Sequence, residues 1–314
     1  MKIKVHPPIT NASGPDSVTY EELERLARSA VGAVVTKSMT HCPRQGNPEP
    51  RLHSYLDNKI GSLNSMGLPN LGYREYARLV PKLKEFGKPV IASIASAPCE
   101  HKLNPIEQYH EIAFVMGQSG ADALEINLSC PNLEDIPISM DPHSVREVLH
   151  TVTRDLKIPI GVKLSPYNNT PKLFEEIART LLDFDIAYVA TINSEPLTLD
   201  IDLKTRTKVI RPNDGYGGLG GPAVLPIALA EVHRFYKFFK KHKAHTEVWG
   251  VGGITKPEDA IKHFFAGASV IQIGTLFLWE GPTVFQKLWV GIQEWLHANG
   301  YSSVEEIIGQ VQEL

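Results

Sequence analysis

The chain has 314 residues, 42% of them apolar and 21% charged, so a sizeable buried core is expected and extended disorder is excluded. A formal net charge of −3 speaks against a nucleic-acid partner, whose grip would rest on neutralising phosphates. The three cysteines, Cys42, Cys99 and Cys130, are odd in number and show no Cys-x-x-Cys spacing, so neither a disulfide framework nor a cysteine-based zinc or iron–sulfur centre is expected, and no metal.

A short apolar run, a polar loop and an amphipathic stretch recur along the chain. Strands are predicted at residues 8–13, 33–37, 89–95, 123–128, 160–164, 187–192, 247–250 and 270–274. Helices are signed between them. Thr19-x-x-Glu22 and Thr255-x-x-Glu258 read as capping boxes, and Asn104-Pro105-x-Glu107 adds an N1 proline. Ile106, Tyr109, Ile112 and Met116 then share one face, as do Val145, Val148, Leu149, Val152 and Leu156 after Asp141-Pro142, and Leu173, Ile177 and Leu181 after Thr170-Pro171. Pro81 predicts a kink or break within 73–86. Pro226, Pro257 and Pro282 open further helices, and residues 303–314 form a last one. The basic and aromatic stretch 234–245 reads as a barrel helix with its cations near the C-terminus. Alternating strands and helices make a parallel sheet, and eight such units favour a closed (β/α)8 TIM barrel, one domain over 1–314. No run of about 18 apolar residues occurs and the N-terminus has no signal-like core, so a soluble cytoplasmic protein is expected, with no membrane partner.

The residues at the strands' carboxyl ends are polar, charged or glycine: Asn11-Ala12-Ser13-Gly14, Lys37-Ser38, Ser93, Asn127, Lys163, Asn193-Ser194, Gly252-Gly253 and Gly274-Thr275. Two strand-end lysines aimed into one mouth call for an anion or carbonyl. Glycines after the last two strands suit a phosphate. After the fourth strand, Pro131 stops the ladder and delivers Asn127, Ser129, Cys130 and Asn132 together. A thiol there can serve as a base if nearby cations favour thiolate, and amides can fix a planar polar ligand. Gly215-x-Gly217-x-x-Gly220 lacks the strand–turn–helix context of a dinucleotide fingerprint. Cys42 and Cys99 are expected to take no part in catalysis.

Read in order, Asn11-Ala-Ser-Gly14, Thr36-Lys-Ser38, Gly46-Asn-Pro-Glu-Pro-Arg51, Asn64-Ser-Met-Gly-Leu-Pro-Asn70, Asn127-Leu-Ser-Cys-Pro-Asn132, Gly161-Val-Lys-Leu164, Asn193-Ser194, Gly217-Gly-Leu-Gly-Gly221 and Gly250-Val-Gly-Gly253 resemble the class 1 dihydroorotate dehydrogenases over nearly the whole chain. The resemblance implies an FMN-containing barrel that oxidises dihydroorotate to orotate. Cys130 would be the base at C5 while hydride leaves C6 for the flavin. Lys37, Asn64, Asn127, Asn132, Asn193 and Ser194, with the backbone of Met66, Gly67 and Leu68, would hold the substrate. Ala12, Ser13, Gly14, Lys37, Ser38, Asn127, Lys163, Ile192, Gly221, Gly252, Gly253, Gly274 and Thr275 would line the cofactor. Asn64 to Asn70 and Asn193-Ser194 look like the homodimeric class that passes electrons to fumarate. The loops at 133–137 and 195–198 depart from that class. They leave open an NAD-linked enzyme with an iron–sulfur flavoprotein partner, a related barrel acting on another dihydropyrimidine, or a non-catalytic FMN subunit.

Overall fold

The computed structural model describes residues 1–57, 59–99, 103–130 and 137–312. Eight short strands form its centre: β1 Ile9–Asn11, β2 Val34–Val35, β3 Val90–Ile94, β4 Ala123–Asn127, β5 Ile160–Lys163, β6 Tyr188–Thr191, β7 Glu247–Val251 and β8 Val270–Ile273. All run parallel, in the order β1-β8-β7-β6-β5-β4-β3-β2. Strands covered on both faces need mostly apolar residues, and most residues of these strands are apolar. Every predicted strand contains or overlaps an observed one.

The ring closes between β1 and β2 through a single parallel bridge, Thr10 to Ala33. Asn11 supplements it with its side chain. Its Oδ1 accepts from the Val35 N–H at 2.9 Å and its Nδ2 donates to the Val35 carbonyl at 2.6 Å. A primary amide carries the same donor and acceptor as a peptide unit, so it stands in for a missing rung.

The lumen is filled from below. Tyr188 stacks on Trp249 with centroids 3.6 Å apart, and a Cβ on Gly161 would fall 2.1 Å from the Tyr188 ring, so only glycine fits there. Above this pair, Gln272 Nε2 donates to Glu125 Oε2 at 2.7 Å. The outer core lies between sheet and helices, where Leu23, Val80, Ile112, Leu149, Ile177, Phe235, Phe264 and Phe285 are buried. Each such side chain contributes roughly 1.5–3 kcal/mol over leaving it exposed.

The helices Tyr20–Ala27 and Pro105–Gln118 start at complete capping boxes on Thr19 and Asn104. Three expectations need correction. Thr255 pairs with Asp259 rather than Glu258: its N–H and hydroxyl both donate to Asp259 Oδ2, and Pro257–Ala266 starts after Lys256. Tyr73–Lys84 runs unbroken through Pro81, because the lost rung falls in its last turn. Of the helix expected over 303–314, the described residues to 312 give only the 3-10 turn Val304–Ile307, followed by Gly309 with φ at 70°.

Two long excursions from the carboxyl ends of strands, 38–70 after β2 and 193–224 after β6, join in a second sheet. Leu52–Ser54, Ser62–Asn64, Gly217–Gly220 and Glu195–Thr198 form a four-stranded antiparallel sheet in that order. The last four residues of the Gly-x-Gly-x-x-Gly run are thus a strand, and Gly215 ends a 3-10 turn before it. A Cβ on Gly218 would fall 2.1 Å from Ser194 Oγ, so these glycines let a sheet lie close over the barrel mouth. No helix among the described residues is long and apolar enough to cross a membrane.

Candidate active site

Parallel strands bring all eight carboxyl ends to one face, and the small sheet lies across it. Between them is a cleft of about 1090 Å³, its open mouth included. One wall is made of side chains. Lys37, just past β2, is 5% exposed and donates to the Gly14 carbonyl at 3.1 Å. Lys163, the last residue of β5, is 6% exposed and reaches Ser13 Oγ at 3.4 Å. From Ser13 a chain of hydrogen bonds crosses the strand ends. Ser38 Oγ donates to Ser13 Oγ at 3.3 Å, Asn127 Nδ2 to Ser38 Oγ at 2.9 Å, Ser129 Oγ to Asn127 Oδ1 at 3.0 Å, and Asn193 Nδ2 to the Ser129 carbonyl at 2.8 Å. Asn64 Nδ2 donates to the Gly218 carbonyl at 2.9 Å, a bond within the small sheet that fixes the Asn64 amide over the cleft. Such a network fixes the amides before any ligand arrives.

Burial dominates the charge state here. It pushes the Lys37 ammonium down to about 8, with the Lys163 charge adding to the fall and Cys130 opposing it. Lys163 is also lowered by burial, opposed by Glu125 and Cys130. Cys130 lines the cleft and is coupled to both cations. In general, nearby cations favour the thiolate form of a cysteine.

The opposite wall is backbone. Gly221, Gly252 and Gly253 take φ of 93°, 121° and 80°. A Cβ on Gly253 would lie 2.4 Å from Leu225 Cβ. A Cβ on Gly274 would meet nothing nearer than Ala12 Cβ at 3.9 Å, so a side chain there would project into the open cleft. His263, fully buried, bonds the Gly252 carbonyl through Nε2 at 2.9 Å. A carbonyl only accepts, so Nε2 carries the proton. Burial pushes the imidazole down to about 4 and keeps it neutral. The hydroxyls of Ser62 and Thr275, 3.2 Å apart, tie the small sheet to this wall.

The structure brings together Ala12, Ser13, Gly14, Lys37, Ser38, Asn64, Met66, Leu68, Asn127, Cys130, Lys163, Ile192, Asn193, Ser194, Gly221, Gly252, Gly253, Gly274 and Thr275 in the cleft lining. Gly67 stands back from it: φ is 68° and its Cα abuts Asn47, so it turns the chain that presents Met66 and Leu68. Asn132 lies outside the described residues, with most of the 133–137 loop. Sequence reasoning missed Ser62, Leu52 and Gln272 in the lining and His263 behind it. Gln272 could have been found, as an amide amid the apolar run Val270–Ile273.

A flavin fits this lining. Ile192, Val224, Val251, Ile254 and Leu278 offer an apolar bed. The buried Gln272 Oε1 has no hydrogen-bond partner among the described residues, an acceptor matched to a ring N–H. The lysines suit carbonyl and anionic edges, and the glycine wall suits a phosphate.

The dihydroorotate dehydrogenase family matches residues 1–296 of the chain. Among similar proteins, the dihydroorotate dehydrogenase (fumarate) of Trypanosoma cruzi is 38% identical over 308 residues, 97% of this chain and 94% of that one. Dihydroorotate dehydrogenase A (fumarate) of Lactococcus lactis is 37% identical over 311 residues, 98% and 96% of the two chains. The Saccharomyces cerevisiae dihydroorotate dehydrogenase (fumarate) is 37% identical over 98% of this chain and 95% of its own. A crystal structure of DHODH from Eimeria tenella in complex with ferulenol superposes with a TM-score of 0.81 over 98% of this chain and 86% of that one, at 21% identity, which speaks to the fold alone. With similarity running nearly end to end, the chain belongs to the dihydroorotate dehydrogenase family of flavin-dependent oxidoreductases, in its class 1 branch.

Proposed function

We propose that this protein is a cytoplasmic, homodimeric dihydroorotate dehydrogenase, a single FMN-binding barrel over residues 1–314 that oxidises dihydroorotate to orotate and passes the electrons to fumarate. The observation that carries the reading is Cys130 on the cleft lining, coupled to two buried lysines. Making the ring double bond removes a proton from C5 and a hydride from C6. Cys130 takes the proton as thiolate and becomes a thiol. FMN, when bound, supplies the hydride acceptor. Lys37 offers its charge to the substrate carboxylate. Asn64, Asn127, Asn193 and Ser194, with the backbone at Met66 and Leu68, orient the ring's donors and acceptors; Asn132 completes the set by resemblance. Ala12, Ser13, Gly14, Ser38, Lys163 and Ile192 would hold the flavin ring, and Gly221, Gly252, Gly253, Gly274 and Thr275 its phosphate. The names of the relatives favour fumarate over an NAD-linked partner.

The test is an anaerobic absorbance spectrum. A yellow flavin band should bleach on adding dihydroorotate and return on adding fumarate, not NAD. A flavin band that persists with dihydroorotate would sink the substrate assignment.

A further inference from the structure

Outside the cleft, three side chains able to bind a metal meet at a place that no local spacing announces. His41 and Cys42 follow β2, and Cys99 follows β3, 58 residues from His41. His41 Nδ1 lies 4.0 Å from Cys42 Sγ and 4.0 Å from Cys99 Sγ, and all three atoms fall within 4.8 Å of one another. The His41 side chain is 5% exposed and its Nε2 sits 3.0 Å from Glu111 Oε2. Glu111 also accepts from the Tyr73 hydroxyl. With Nε2 turned to the Glu111 carboxylate, Nδ1 is the ring nitrogen that faces the two sulfurs. This is the carboxylate–imidazole arrangement that orients a metal-binding histidine.

We propose that His41, Cys42 and Cys99 form a site for a thiophilic divalent cation, Zn²⁺, its fourth position taken by water, that clips the loop after β2 to the loop after β3. Two thiolates and an imidazole suit zinc, whereas Mg²⁺ and Ca²⁺ want oxygen ligands. Tetrahedral zinc, with bonds of about 2.0–2.3 Å, puts N and S about 3.6 Å and the two sulfurs about 3.8 Å apart, so the N–S pairs need close by a few tenths of an ångström and the sulfurs by up to about 1 Å. The surroundings already fix the scaffold. Thr40 Oγ1 donates to the Cys42 carbonyl at 2.6 Å, Asn70 Nδ2 to Thr40 Oγ1 at 2.8 Å, and Arg44 bridges to the Pro98 carbonyl at 3.1 Å. On binding, both thiols release their protons to solvent as the two Zn–S bonds form. Cys99 also borders a cavity shared with Cys130 and Asn127, so the clip braces the outer flank of the side-chain wall.

The experiment is anaerobic titration of the reduced, chelator-stripped holoenzyme with Co²⁺, then Zn²⁺. One Co²⁺ per chain is expected, with a thiolate-to-cobalt charge-transfer band and tetrahedral ligand-field bands that Zn²⁺ removes. Cys42→Ser, Cys99→Ser and His41→Ala should each lose the charge-transfer band or shift it, while Cys130→Ser keeps it. Glu111→Gln should weaken binding about 10- to 100-fold. Flavin content, read in the same samples, shows that each variant is folded. Absence of stoichiometric metal at micromolar concentration, or a band lost in Cys130→Ser and kept in Cys42→Ser and Cys99→Ser, overturns the proposal. Neither result touches flavin bleaching by dihydroorotate, so the two readings fail separately.

Discussion

The two walls of the cleft reach similar rigidity by different means. The wall after β2 to β6 delivers lysines, amides and a thiol, its lysines and amides held by hydrogen bonds to neighbouring side chains and carbonyls. The wall after β7 and β8 delivers glycine backbone, held from behind by Leu225 and by His263 on the Gly252 carbonyl. A wall that discriminates a substrate and moves a proton needs varied functional groups. A wall that holds a phosphate needs only N–H groups and close approach. Loss of the Cys130 thiol from the first should therefore stop chemistry and spare the cofactor, while damage to the second should release the cofactor.

Three perturbations test that division. Cys130→Ser should slow anaerobic flavin reduction at neutral pH by about 10²–10⁴-fold, the usual worth of a positioned base, with the flavin-to-protein ratio unchanged. Reduction at the wild-type rate removes Cys130 from the role of base. The second concerns His263, whose folded pKa lies near 4 against an ordinary 6.5. Between these values the unfolded chain binds the proton and the folded one does not. The stabilisation from burying the neutral ring is thus complete above 6.5 and lost as pH falls toward 4, by about 3 kcal/mol. Urea unfolding of wild type and His263→Gln across that range should show wild type losing more; parallel curves would mean that the imidazole is protonated in place. The smallest effect is expected for Gly253→Ala. Positive φ and the clash with Leu225 should cost about 1–3 kcal/mol and lower flavin occupancy, leaving Cys130 chemistry intact in the fraction that retains cofactor. Full flavin content in that variant would show that the glycine wall is not shaped around the cofactor.

The barrel was legible because buried parallel strands are mostly apolar runs, and helices announce themselves with caps, as at Thr19 and Asn104. Its cleft was legible because polar residues at strand ends, such as Lys163 and Asn127, contradict that apolar pattern. The small sheet was not legible. Its strands are three or four residues long, and one is Gly-Gly-Leu-Gly, which shows no period. His263 was hidden because a histidine on an amphipathic helix gives no sign of what it meets behind the sheet. His41 and Cys99 were hidden because their meeting is a product of two adjacent strands, and no local spacing encodes it.

The amide of Asn11 has a wider reach than its two hydrogen bonds suggest. A slip of one residue in a strand turns every side chain over. Ala12, Ser13 and Gly14 follow Asn11 directly into the cleft. By locking onto Val35, Asn11 acts as an index pin: the event that shuts the ring also sets the rotational phase at which the first strand presents its residues to the site.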